Sequence, residues 1–366
     1  MPLKARLNGK EIAAYSYDDQ AWKRLKAAYS KNRLQMACCD RDAVPKTSKL
    51  GTQYFAHKKK GDCATAPETK EHLFLKDLVA RTATKYGWQV ETESAGQTPD
   101  GEEWVADVLC SKRQRMAIEI QWSRQSKEEY EHRQQKYKSS DITCVWLYRL
   151  QGSEERGYKE KLDENNYELP AFGITQDKET GKMRVPQFQI GVEEFVDGLF
   201  GGRLKFKPKP GDLLTAEVMG AEKDECWHCN HPMNFVTGFD IVDASGDRLR
   251  FAPFGEDGVA ELIKRHVPDR LLARMGYGRV RSRYIHNYGM DQDCGITCRN
   301  CRRNNGALYC GHKSYEWTGK PRPKPITTFQ FVNGEEVDCL QGDWYFDGLT
   351  ALMHYRRAHL QPSALT

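Results

Sequence analysis

Between Glu68 and Tyr148 the apolar residues recur first at helical and then at strand spacing, in an order that few folds accommodate. Thr69 is placed to cap a helix carrying Leu73, Leu75, Leu78 and Val79, which should end near Tyr86-Gly87. Trp88 to Glu93 alternates as a strand does. Trp104–Leu109 and Met116–Gln121 read as two more strands joined across the polar turn Ser111–Arg115. In the second of these, Met116, Ile118 and Ile120 fall on one face and Ala117, Glu119 and Gln121 on the other. Ser126 to Lys138 is polar and helix-forming, and Ile142–Tyr148 is a hydrophobic strand of the kind buried in a sheet core. Helix, strand, hairpin, helix, strand is best satisfied by one mixed α/β layer with helices against it.

The rest of the chain reads as smaller pieces around this layer. An extended opening over Ala5–Ala14 and a helix over Asp19–Ser30 precede a turn-rich, basic stretch from Cys38 to Thr65. That stretch cannot supply a large core and fits a metal-stapled module. After Leu150 come charged loops and short edge strands to Arg184, then a strand at Gln187–Ile190 and a helix at Val192–Leu199. Arg203–Pro210, with its Lys-Pro-Lys-Pro, reads as a linker, and a last region begins near Leu213. A Pro/Lys-rich break at Gly319–Pro325 precedes a terminal aromatic segment up to His359. The expected domains are therefore 1–67, 68–202 and 213–366.

Composition narrows the class. The chain has 366 residues, 39% hydrophobic, with no apolar run of bilayer length and no signal-peptide core; the expectation is no membrane and a cytoplasmic location. The net charge of +5 is too small to argue for a polyanion by itself, although Lys58, Lys59 and Lys60 form a local basic cluster.

Twelve cysteines without a secretion signal point to metal binding rather than disulfides. Cys226-x₂-Cys229 and Cys298-x₂-Cys301 form a pair of knuckles, and four thiolates around Zn²⁺ leave no open position, so such a site is structural. Cys294, Cys310, His228, His231 and His312 are spare ligands nearby. The N-terminal group is less regular: His57 and Cys63 with Cys38 or Cys39 suggest a Cys/His zinc site, but adjacent residues rarely share one ion comfortably, which leaves the fourth ligand open. Cys110, Cys144 and Cys339 stand apart as ordinary buried or semi-buried thiols.

Asp107 and Glu119 interrupt strand-like apolar runs, where a carboxylate is costly unless something neutralises it. A hairpin can bring them side by side, and a hard divalent cation, Mg²⁺ or Mn²⁺, neutralises such a pair and takes substrate phosphate as a further ligand. Gln121 shares a face with Glu119 and can orient a water but not act as a general base. Glu71, on the preceding helix, can complete the acidic group. A D-x₁₁-E-x-Q spacing also arises by chance, and edge exposure on a hairpin is its bland explanation.

Glu71-His72 with Lys76, Ala106-Asp107-Val108 and Ala117-Ile118-Glu119-Ile120-Gln121-Trp122-Ser123, followed by Arg133, Tyr137 and Val145-Trp146-Leu147, resemble the competence protein CoiA-like family. The resemblance covers roughly residues 30 to 200. It implies a restriction-endonuclease-like, PD-(D/E)xK core, with glutamine replacing the usual lysine, flanked here by small zinc-stapled modules. It further implies a catalytic set of Glu71, Asp107, Glu119 and Gln121, and supporting or substrate-contacting roles for His72, Ser123, Arg133 and Tyr137. Members are linked to DNA uptake and recombination, and such domains are reused in defence systems. The resulting expectation is a Mg²⁺- or Mn²⁺-dependent deoxyribonuclease with structural Zn²⁺, acting on DNA without sequence preference, alone or with a protein partner in a DNA-processing or defence complex. Lys58, Lys59, Arg299, Arg302 and Arg303, close to the proposed zinc ligands, are placed to contact phosphate. The competing expectation is a non-catalytic nucleic-acid-binding or assembly protein whose nuclease core has decayed.

Overall fold

The computed structural model describes residues 3–59, 63, 68–150, 162–163, 166–177, 179–285, 290–306, 310, 325–335 and 342–347. Lys60, His312, Cys339, the Gly319–Lys324 part of the expected break and the terminal segment beyond Asp347 lie outside them. The chain divides into two compact units, one of residues 1–205 with 344–353 and one of residues 206–343 with 354–366. It is a mixed α/β protein. Among the described residues no helix is long and apolar enough to cross a membrane.

The first unit opens with strands β1 (Lys4–Leu7), β2 (Lys10–Ala13) and β3 (Leu34–Met36), which form a small antiparallel sheet. Helix α1 (Asp19–Ala28) starts where the Asp18 carboxylate accepts from the Ala21 N–H, and a hairpin of β4 (Ala43–Thr47) and β5 (Gln53–His57) follows. Leu3, Ala5, Trp22, Met36 and Phe55 are buried together here, and Leu73 of the next helix joins them.

That helix, α2 (Lys70–Lys85), is capped by Thr69, whose hydroxyl accepts from the His72 N–H at 3.1 Å. Then come β6 (Gln89–Gln97), β7 (Glu103–Ser111), β8 (Arg115–Gln121), α3 (Lys127–Ser139), β9 (Thr143–Arg149), β10 (Ala171–Gln176), β11 (Met183–Val185) and β12 (Ile190–Gly191), closed by α4 (Val192–Phe200). The strands make one seven-stranded sheet in the order β12-β11-β10-β9-β8-β7-β6. β8 runs parallel to β9 and β9 to β10, while the remaining pairs are antiparallel. The sheet is therefore mixed, with the parallel β8–β9 pair made by the crossover through α3. Ser126 and Glu129 form a reciprocal capping box at the start of α3, which fixes where that helix leaves β8. Trp104, Ala106, Ala117, Tyr130, Tyr137, Cys144 and Trp146 fill the space between α3 and the sheet.

The stretch 203–210 differs from the linker expected there, because Leu204–Lys207 is itself a strand, β13. Alternation explains it: Phe206 is buried while Lys205 is exposed.

The second unit is built on β14 (Leu213–Glu225), β15 (Pro232–Val242), β16 (Arg248–Pro253), helices α5 (Val259–His266) and α6 (Asp269–Arg274), β17 (Arg279–Ile285), β18 (Met290–Thr297), β19 (Asn304–Gly306) and β20 (Thr327–Val332). One antiparallel sheet has the order β16-β15-β14-β20 and a second the order β17-β18-β19. Phe235, Phe239, Leu262, Ile263, Ile296 and Phe331 sit in its core with Cys226, Cys298 and Cys310.

The last described strand, β21 (Asp343–Phe346), carries two aromatic residues back into the first unit. Trp344 lies edge-on to Phe172, and Phe346 packs on Phe188 and Phe195. Gly198 in α4 leaves room for Phe346: an added Cβ would stand 2.0 Å from its ring.

Candidate active site and cysteine clusters

Asp107 sits where β7 and β8 part. The ladder ends at Val108↔Ile118, and where Asp107 and Glu119 would pair next, the Asp107 carboxylate instead accepts from the Ile120 N–H at 2.9 Å. On the other side β6 and β7 keep one register above and below the Glu93–Asp107 position, yet Glu93 takes φ 53°. A left-handed glutamate inside a strand costs on the order of 1 kcal/mol and persists only where its surroundings demand it.

Those surroundings are polar. His72 Nε2 lies 3.1 Å from Asp107 Oδ1. Lys76, one helical turn further along α2 and fully buried, donates to Glu68 at 2.7 Å and Glu93 at 3.1 Å, with Asp107 at 3.8 Å. A bare ammonium there would be untenable, so the carboxylates and the lysine sustain one another. Burial opposes the charge on Lys76, but Glu68, Glu93 and Asp107 outweigh it and raise its pKa. Burial likewise opposes the charge on Asp107, but the hydrogen bond and charge of His72, the Lys76 ammonium and the Ile120 N–H hold its carboxyl below the usual carboxylate range. Oxygen or nitrogen atoms of Glu68, His72 and Asp107 all lie within 4.8 Å of one another, the separation at which three groups can hold one metal ion.

Glu119 has different partners. Its Oε1 accepts from the Tyr137 hydroxyl and its Oε2 from Arg133 at 2.5 Å, both on α3. It is 1% exposed. Burial, with the nearby Asp107 charge, raises its pKa from 4.5 to about 7, against the pull of Arg133 and Tyr137. Arg133 in turn lies 4.8 Å over the Trp146 ring and lines an open cavity of about 430 Å³ with Gln121, Arg124, Gln125, Glu129 and His132. Gln121 does not point freely into solvent: its amide donates to the Ser123 hydroxyl at 2.9 Å and to the Ser123 carbonyl at 3.0 Å. The Glu71 carboxylate lies 3.6 Å from Lys70 and is not one of the three grouped ligands; Glu68 is. Of the residues singled out from sequence, then, the structure brings His72 and Asp107 together and, beside them, joins Glu119 to Arg133 and Tyr137. Sequence reasoning missed Glu68 and Glu93.

A raised carboxylate pKa has a sign. Folding stabilises protonated Glu119, so this contribution is complete below about pH 4.5 and is lost as pH rises through about 7. In metal-free protein, Glu119→Gln should therefore flatten the decline in stability across that window, by roughly 3 kcal/mol at most. Denaturation midpoints at several pH values in a chelator measure it; parallel curves for both proteins would show that Glu119 does not titrate there.

Among the described residues there are also two cysteine clusters. In the first unit Cys38, Cys39, His57 and Cys63 bring four ligand atoms within 4.8 Å of one another, so both adjacent cysteines take part. Cys39 Sγ is 3.1 Å from His57 Nε2 and Cys38 Sγ is 3.7 Å from Cys63 Sγ. Lys58 and Lys59, directly after His57, are exposed. In the second unit Cys226, Cys229, Cys298 and Cys301 meet the same criterion. The two knuckles share one backbone pattern: Asn230 N–H donates to Cys226 O and Arg302 N–H to Cys298 O, with φ 52° and 57° at the donors. The His231 N–H and neighbouring thiols lower Cys229 to about 6, so a thiolate is already favoured. Cys301 rises to about 11: the Arg303 N–H favours its thiolate, but burial and the three surrounding sulfurs prevail. Both clusters can hold a metal such as zinc. Cys110 and Cys144 are buried elsewhere, as expected of ordinary thiols.

No curated protein matches the chain. A family model does, over the helix, hairpin, helix and strands that carry Asp107 and Glu119. Residues 68–179 match the competence protein CoiA, nuclease-like domain, and over that segment the chain is similar to that family.

Proposed function

We propose that the first unit is a divalent-metal-dependent nuclease acting on DNA, with a restriction-endonuclease-like core and its ion at Glu68, His72 and Asp107. One observation carries this reading: Asp107, at the parting of two strands, faces a histidine and a second carboxylate at ligand separation, next to the buried Glu119. Bound there, Mg²⁺ or Mn²⁺ supplies charge for a phosphate and acidifies a water. The protein side of the chemistry falls to identifiable groups. Asp107 stays ionised and ready to ligate because His72, Lys76 and Ile120 N–H favour its charge. Lys76 provides the ammonium that the Glu-x-Gln pattern lacks, delivered from α2 instead of β8. Arg133 keeps Glu119 in place and presents a guanidinium to the cavity, where a phosphate oxygen can take it. Gln121 is a positioning residue, holding the Ser123 turn at the cavity rim.

An imidazole among the ligands favours Mn²⁺ over Mg²⁺, which prefers oxygen alone. Cleavage of single-stranded, duplex and branched DNA, and of RNA, should thus be faster with Mn²⁺ than with Mg²⁺ and absent with EDTA. Cleavage that persists in EDTA defeats the metal reading, and RNA cut in preference to DNA defeats the substrate.

A second reading has its own support. Both Glu119 oxygens are hydrogen-bonded to α3, and Lys76, His72 and the Ile120 N–H already meet the Asp107 carboxylate, so each carboxylate has protein partners without an ion. A nucleic-acid-binding or assembly protein that has lost cleavage would look the same. DNA binding without cleavage across that panel selects it. The zinc role of the cysteine clusters, a partner protein in DNA processing or defence, and a competence-related pathway belong to both readings.

A further inference from the structure

Trp227, between the first two cysteines of the second unit's cluster, is 53% exposed, one of the few large apolar side chains so placed among the described residues. It is nonetheless held rigidly. Its indole N–H donates to the Asn304 carbonyl at 3.2 Å, and its backbone N–H donates to Asn305 Oδ1 at 3.1 Å. Asn305 is fully buried and anchors itself through Nδ2 to the Ile296 carbonyl at 2.9 Å. Its edge thus pinned to β19, the Trp227 side chain still exposes more than half its surface to water.

Within the two knuckle loops the charge has one sign. The loops 226–231 and 298–303 contain Arg299, Arg302 and Arg303 and no carboxylate. Arg299 is spent on the Tyr277 and Ala273 carbonyls, and Arg303 donates to His228 Nδ1 at 3.2 Å while His228 lies edge-on to Trp227. Arg302 and Arg303 are exposed. Asp224 and Glu225 precede the knuckle on β14, where the Glu225 N–H binds the Asp224 carboxylate.

We propose that Trp227 is a stacking platform for an unpaired base of a single-stranded nucleic acid, with Arg302 and Arg303 taking its phosphates. A fixed, exposed indole loses little entropy when covered, every base has a face to offer it, and exposed arginines supply the attraction to the backbone. Duplex bases are stacked on each other and present no face, so the platform discriminates strand state. It stands on the second unit alone and holds whether or not the carboxylate site cleaves.

The test uses the full chain carrying Asp107→Asn, so that no probe is consumed, with fluorescence anisotropy on labelled oligothymidylate and on a duplex of the same length. Trp227→Ala should weaken single-strand binding about tenfold, Trp227→Phe far less, and duplex binding should not move. Arg302→Gln with Arg303→Gln should weaken single-strand binding and lower the salt slope by roughly 0.7 per lost contact. Metal analysis of each variant reports whether the knuckle is intact. Unchanged single-strand binding in Trp227→Ala overturns the proposal, as does equal loss on both probes or a parent that binds no oligothymidylate. Should Trp227→Ala lose its metal, the arginine pair decides alone, and unaltered binding there overturns it. Cleavage by the unmodified chain is scored separately, so failure of one reading leaves the other standing.

Discussion

Asp107→Asn is expected to abolish DNA cleavage while leaving the protein folded. Asparagine keeps an oxygen for the Ile120 N–H, and Lys76 retains Glu68 and Glu93, so the polar cluster survives in outline. The carboxylate charge that completes the ligand group is lost. If metal ligation contributes about 4 kcal/mol to the transition state, cleavage falls on the order of 1000-fold. Initial rates with Mn²⁺, alongside a thermal melt of both proteins, check the two halves of the expectation. A variant that melts normally and still cuts at the parental rate removes Asp107 from the chemistry.

Cys298→Ser should have the largest effect on stability. Its thiol is fully buried, 3.7 Å from Cys229 Sγ, and its backbone N–H pairs with Arg303 O across the knuckle. A serine hydroxyl neither ionises readily nor ligates zinc well, and structural zinc contributes on the order of 10 kcal/mol of apparent folding energy. The variant should lose one equivalent of zinc and the hydrogen-exchange protection of β17, β18 and β19. Full zinc content with unaltered protection would place the metal elsewhere.

How much of this could be read from the sequence follows from where each contact originates. The order helix, strand, hairpin, helix, strand was legible because periodicity records which face is buried, and α2, β7, β8, α3 and β9 lie where it points. Asp107 and Glu119 were visible as polar interruptions of those runs. The resemblance named His72, Arg133 and Tyr137 among their partners, but periodicity showed none of them. Glu68 precedes α2 by a turn of chain that has no period, and Glu93 depends on a left-handed backbone that no pattern announces. Lys76 looks like a surface lysine on an amphipathic helix until the carboxylates around it are seen. Periodicity set Glu119 among residues facing one way, and only the packing of α3 revealed Tyr137 and Arg133 on its two oxygens. The adjacency of Cys38 and Cys39 argued against both reaching one ion, yet the turn after β3 brings both sulfurs into the group.

The return of Trp344 and Phe346 bears on how the protein is made. Their aromatic partners at Phe172, Phe188 and Phe195 emerge from the ribosome long before them. The first unit is thus interrupted in the gene, and its aromatic cradle stays open until residues 206–343 of the second unit have been synthesised. Nascent chains halted before Asp343 should show this as an exposed apolar surface that chaperones can grasp, and the same holds for any fragment cut at the apparent boundary near Lys205.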